Sequence, residues 1–246
     1  MLLFVSRKWS IGWVMAFLVL LAGGPARADR RGYVWTYEYM TMPKGQAELE
    51  YYLTVKAPDL GDFDTKNSWE HQLEFEYGLT DSWDVSIYQR WKQTNIKGDN
   101  DFAYTGTKLR TRYRLGERGM YPVDTLLYFE YILPDDSDAP DILEGKIILA
   151  KDFGNASVAY NQILKVGINH DGQTEHEYAL GLNYEFSPSL KIGLESKGNY
   201  TEDKYYLGPT VSWASEKFWV ALGALGGLNR RSDDFQIRLI IGIPLF

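Results

Sequence analysis

From Glu175 to Phe186 the chain reads EHEYALGLNYEF, so His176, Tyr178, Leu180, Leu182, Tyr184 and Phe186 alternate with Glu175, Glu177, Ala179, Gly181, Asn183 and Glu185. Successive side chains of a strand point to opposite faces, so this pattern predicts one apolar, aromatic face and one polar, acidic face. Twelve residues is long for a half-buried soluble strand. A strand that crosses a bilayer needs about 9–11 residues, with aromatics at both interfaces.

The alternation recurs along the chain. Ala47, Leu49, Tyr51, Leu53 and Val55 oppose Glu48, Glu50, Tyr52, Thr54 and Lys56. Trp69, His71, Leu73, Phe75 and Tyr77 oppose Glu70, Gln72, Glu74 and Glu76. Residues 189–199 and 204–213 repeat it, whereas 123–133, 142–151 and 217–228 carry apolar residues on both faces and leave the sidedness open. Strands are expected at 33–40, 46–56, 68–79, 83–93, 102–115, 123–133, 142–151, 155–167, 174–186, 189–199, 204–213, 217–228 and 234–245, separated by turn chemistry such as Pro43-Lys44-Gly45 and Ser187-Pro188-Ser189. No stretch sustains a helical period. The expected connections alternate between tight turns (42–45, 80–82, 153–154, 187–188, 214–216) and longer acidic loops (57–67, 94–101, 134–141), the asymmetry of periplasmic turns and external loops. The fold class is therefore all-β: a transmembrane antiparallel up-and-down β-barrel of about twelve strands, formed by residues 46–246. A soluble β-sandwich is the competing architecture, with apolar faces meeting each other instead of lipid. Bacterial barrels have even strand numbers, so 33–40 is set apart within a 29–45 arm, in the lumen or against the seam, with a miscounted wall strand as the alternative.

Composition agrees with this picture. The chain is 45% hydrophobic, yet its mean hydropathy is −0.33, as expected when two strand faces average out. Residues 1–28 form a separate object: basic Arg7 and Lys8, an apolar run from Ile11 to Leu21, and Ala26-Arg27-Ala28 before Asp29. That is the order of a cleaved secretory signal, and the run is too short for a membrane anchor. Cleavage would remove three of the 26 basic residues and none of the 33 acids, leaving a net charge of about −10 and arguing against nucleic acid as a partner. There is no cysteine, hence no disulfide framework.

The lumen face is the candidate site. Lys108, Arg110, Arg112 and Arg114 alternate along one strand, and Arg90 and Lys92 precede them. Glu48, Glu50, Glu70, Glu74 and Glu76 occupy the two strands before. An acidic wall beside a basic wall has two readings. The charges neutralise one another in a structural barrel, or they set a field across a narrow water-filled channel for small solutes. Catalysis is not expected. His71 and His176 have no neighbouring serine, His170-Asp171 reads as an N-H-D-G turn, and a membrane-embedded hydrolase is the third reading. Asp135, Asp136, Asp138 and Asp141 read as a solvated loop; no cofactor, metal-ligand spacing or phosphate loop is present.

The last strand places Phe235, Ile237, Leu239, Ile241, Ile243 and Leu245 on one face and ends on Phe246. An aromatic terminus resembles the assembly signal of bacterial outer-membrane barrels, although here Leu245, not Phe246, is in phase with the lipid face. The resemblance implies handling by the barrel assembly machinery and a surround of outer-membrane lipid and lipopolysaccharide. A second resemblance lies in Trp35-Thr36-Tyr37-Glu38, Met42-Pro43-Lys44-Gly45-Gln46, Glu48-Leu49-Glu50 and Glu76-Tyr77-Gly78-Leu79-Thr80-Asp81. These resemble the opening of transporter-like outer-membrane barrels, among them those grouped with the meta-pathway of phenol degradation. That resemblance implies passage of small hydrophobic molecules, aromatic ones among them, and carries over no catalytic residue.

Overall fold

A computed structural model describes residues 31–169 and 171–246; the signal segment and His170 lie outside the described residues. Twelve strands follow in order: β1 (Ala47–Ala57), β2 (Lys66–Thr80), β3 (Trp83–Ile96), β4 (Asp99–Arg114), β5 (Asp124–Pro134), β6 (Ile142–Phe153), β7 (Ala156–Gly167), β8 (Thr174–Ser187), β9 (Leu190–Asn199), β10 (Lys204–Ala214), β11 (Trp219–Gly227) and β12 (Phe235–Pro244). Each pairs antiparallel with its neighbour in sequence, and β1 pairs with β12 from Glu48↔Pro244 to Ala57↔Phe235, closing the barrel. Closure satisfies every strand edge, which an element surrounded by hydrocarbon requires. Pairing continues past β12, where the Ala47 amide donates to the Phe246 carbonyl at 2.9 Å.

The outside is apolar. Leu73, Ile87, Leu109, Ile147, Leu180, Leu194 and Leu222 are exposed, a sidedness that makes sense only against lipid. Trp83, Tyr113, Phe153, Phe186, Trp213 and Phe218 ring the end that carries the tight turns. The sandwich alternative has no counterpart in this topology.

Two connections differ from expectation. Residues 94–101 are not a loop: pairing runs to Ile96↔Asp99, and only Lys97 and Gly98 turn, at φ 53 and 87. Two positive φ values are the requirement of a type I′ hairpin, whose twist matches the strands it joins. Conversely, β4 and β5 are joined at the turn end by the nine-residue stretch 115–123.

Residues 33–40 form no strand. They run through the barrel interior, where Tyr33, Val34, Thr36 and Tyr39 are almost fully buried. Two apolar clusters result. Val34 and Trp35 pack with Trp219, Ala221 and Leu225 of β11 and Ile240 of β12. Tyr33 and Tyr39 pack with Leu126 and Tyr128 of β5 and Ile148 and Ala150 of β6. The three strands without a clean alternation, β5, β6 and β11, thus turn apolar residues inward against the arm. Gly181 and Gly223 make room for it, since a Cβ at either would overlap Tyr33 or the Val34 and Trp35 side chains.

Candidate functional site

The arm enters at the turn end. Gln46 donates its amide to the Pro43 carbonyl at 3.0 Å across a turn with Gly45 at φ 76, a left-handed position that glycine adopts without strain. Gly78 fits beneath Pro43, where any side chain would strike the Pro43 carbonyl. The Lys44 amide donates to Asp81 Oδ1 at 3.1 Å, and Thr41 Oγ1 donates to the Asp81 carbonyl at 2.8 Å. Two of the sequence stretches that carried the second resemblance, 42–46 and 76–81, thus meet as the arm's hinge.

Polar side chains of the wall then hold the arm's backbone. Glu195 of β9, fully buried, accepts the amides of Val34 at 2.7 Å, Trp35 at 2.9 Å and Thr36 at 2.7 Å. Successive amides converging on one carboxylate form an anion nest, here occupied by the barrel's own side chain. Asn161 of β7 accepts the Tyr37 amide at 2.6 Å and donates to its carbonyl at 2.9 Å. Asp84 of β3 accepts the Met42 amide at 2.9 Å. Glu195, Asn161 and Asp84 were not singled out from sequence, where each looks like one more polar residue on a lumen face.

The acidic and basic walls close around the same arm. Arg110 pairs with Glu74 at 2.8 Å and Glu76 at 2.6 Å, and Arg112 pairs with Glu76 and with Asp84 at 2.7 Å. Tyr52 Oη lies against the carboxylates of both Glu50 and Glu74, with one proton to donate between them, and Arg31 of the arm donates to Tyr52 Oη at 2.8 Å. The Arg110 and Arg112 side chains are only 1% and 4% exposed, so they face carboxylates and not a water column. Lys108 pairs with Glu130 at 3.0 Å, and Trp219 Nε1 donates to Glu48 at 2.9 Å. Arg114 turns away from the acidic wall, donating to Thr41 Oγ1 at 2.9 Å and to the Asp81 carbonyl. Glu70 pairs with Lys56 at 2.7 Å. Lys92 lies across the ladder from Glu70 and Arg90 from Gln72, both half-buried, and neither forms an ion pair with a described residue. Among the described residues the one carboxylate trio close enough to share an ion is Glu50, Glu74 and Glu76, and Arg110 and Tyr52 already engage it. The void left in this half is about 10 Å³, at most room for one water.

The loop half differs. Above the arm lies a cavity of about 350 Å³ that reaches Glu202, Lys204 and Asp233 at the loop end. Seven cations line it (Lys56, Lys108, Lys146, Lys165, Lys197, Lys204, Arg238) against four acids (Glu144, Glu177, Glu202, Asp233). Trp35 and Tyr37 of the arm help form its floor, with Tyr52, Tyr88, Tyr128, Tyr178 and Tyr206 on the wall. The Tyr37 ring is packed among cations inside the barrel, with Arg31 Cζ 4.5 Å from its centre. The Lys146 ammonium sits 4.3 Å from the centre of that ring.

Among the described residues no histidine ring is hydrogen-bonded to a serine hydroxyl. His71 faces outward, with Tyr51 Oη 2.7 Å from Nδ1 and Phe102 against its ring, and its ladder partners are Leu53 and Trp91. His176 is exposed, whereas His71 is half-buried, and it lies opposite Leu164.

A closed twelve-stranded barrel, lipid-facing outside and charged within, is the architecture of an outer-membrane porin. Solved porins share it. Residues covering 81% of this chain superpose on 98% of the KdgM porin with a TM-score of 0.56 at 12% identity, and likewise at 10% identity on the same porin in complex with disordered oligogalacturonate. The NanC porin gives a TM-score of 0.54 at 8% identity, over 80% of this chain and 99% of that one. No protein-family description and no curated protein sequence matches the chain. The chain thus has the fold of the outer-membrane porin barrels.

Proposed function

We propose that this protein is an outer-membrane channel for small anionic solutes, entered from the loop end and closed at the turn end by its own N-terminal arm. The observation that carries this reading is the excess of seven cations over four acids around the loop-side cavity. A cavity walled by low-dielectric protein and lined with one sign of charge concentrates counter-ions. The porin solved with oligogalacturonate takes a chain of carboxylates, and by analogy supports an acidic solute here. The sequence resemblance at 42–50 and 76–81 supports a ring-containing one. Contact with outer-membrane lipid and lipopolysaccharide, and assembly through β12, belong to the same proposal.

The occupied turn half favours a second reading, a structural barrel that conducts nothing. Planar bilayers separate the two. The channel reading expects current with a reversal potential favouring anions, shifted toward cations by Lys204→Glu at the mouth. A silent bilayer, or cation preference in the unmodified chain, overturns it.

A further inference from the structure

Five of the seven cations around the cavity have a carboxylate partner. Lys56 holds Glu70 at 2.7 Å, Lys108 holds Glu130 at 3.0 Å, Lys146 holds Glu144 at 2.7 Å, Lys165 holds Glu177 at 2.9 Å and Lys204 holds Glu202 at 2.7 Å. Lys197 of β9 and Arg238 of β12 form no ion pair with a described residue. Both cations converge on one ring: Lys197 Nζ lies 5.6 Å from the centre of Trp35 and Arg238 Cζ 5.4 Å from it. Tyr206 adds a second ring, 5.0 Å from Lys197 Nζ. Arg238 is aimed by two hydrogen bonds, from Nε to Thr54 Oγ1 at 2.8 Å and from Nη1 to the Val34 carbonyl at 3.1 Å.

Two cations without a carboxylate of their own, held away from bulk water, are costly unless an anion compensates them. Beside the Trp35 and Tyr206 rings, that anion gains most if its charge is carried on a ring with an apolar face to lay against them. Resting on the reading of the cavity as a solute site, we infer that Lys197, Arg238, Trp35 and Tyr206 form a binding site for a carboxylate carried on a ring. A benzoate-like aromatic acid and a uronic acid share that chemistry.

Calorimetric titration of the detergent-solubilised protein with benzoate, glucuronate and acetate tests this. Saturable binding of benzoate or glucuronate, tighter than acetate, is expected, and whichever ring acid binds tighter identifies the source. Lys197→Gln and Arg238→Gln should each weaken binding by about tenfold, the loss of one charge-assisted contact. Lys217→Gln, at the opposite end of the barrel, should leave binding unchanged. Heat-shifted gel migration reports whether each variant has folded. Acetate binding as tightly as both ring acids, or no effect of Lys197→Gln and Arg238→Gln in folded protein, overturns the inference. Binding with a silent bilayer would sink the channel reading alone; anion current without ring-acid binding would sink this inference alone.

Discussion

Glu195 lies deep inside the barrel and forms no ion pair with a described residue. Three amides of the arm compensate it, each at 2.7–2.9 Å. Hydrogen bonds to a charged group contribute about 1.5–3 kcal/mol each, so this one side chain is a principal anchor of the arm. Glu195→Ala removes the anchor and leaves three buried donors facing a void. Amide hydrogen exchange at Val34, Trp35 and Thr36 should accelerate sharply, while exchange in β2 and β3 stays slow. Glu195→Gln keeps one acceptor oxygen and should give an intermediate rate. Equal protection in all three proteins would mean that the arm is held elsewhere.

At the level of elements, the arm and the wall behave as two parts fitted by volume. Gly223 of β11 is empty where Val34 and Trp35 press in. Gly223→Val puts a side chain into that space and should push the arm away from β11 while the pairing of β11 with β10 and β12 persists. Amide exchange at Val34 and Trp35 should then accelerate with heat-shifted gel migration unchanged; unaltered exchange would show that arm and wall are not fitted by volume. The strands themselves were legible in the sequence because lipid and lumen impose opposite chemistries on alternate residues, as in Glu175–Phe186. Leu126, Tyr128, Ile148 and Trp219 broke that rule because their inner faces meet arm side chains instead of water. The Lys97-Gly98 turn was hidden by its polar flanks, which resemble a loop but pair as strand. The charged ladders were visible as ladders. Their mutual neutralisation depended on Tyr52, Tyr88 and Asp84 standing between them, which no spacing along one strand reveals.

For the whole molecule, charge is divided by depth. The turn half is an interlocked set of opposite charges around the arm, and the loop half carries the cationic excess. Screening acts on the exposed part of that excess, and the Debye length falls from about 10 Å at 0.1 M salt to about 3 Å at 1 M. Anion selectivity in bilayers should therefore be strongest at low ionic strength and collapse toward neutrality in concentrated salt. Selectivity that stays constant across that range would place the discriminating charges deeper, among pairs that salt does not reach.

The arm also touches both sides of the seam. Arg31 donates to Tyr52 on the first strand, and Val34 accepts from Arg238 on the last. Those two strands lie farthest apart in sequence, and joining them closes the largest loop in the chain, an entropic cost that grows with loop length. A segment bonded to both is a second clasp on the seam, independent of the ladder that the two strands form between themselves.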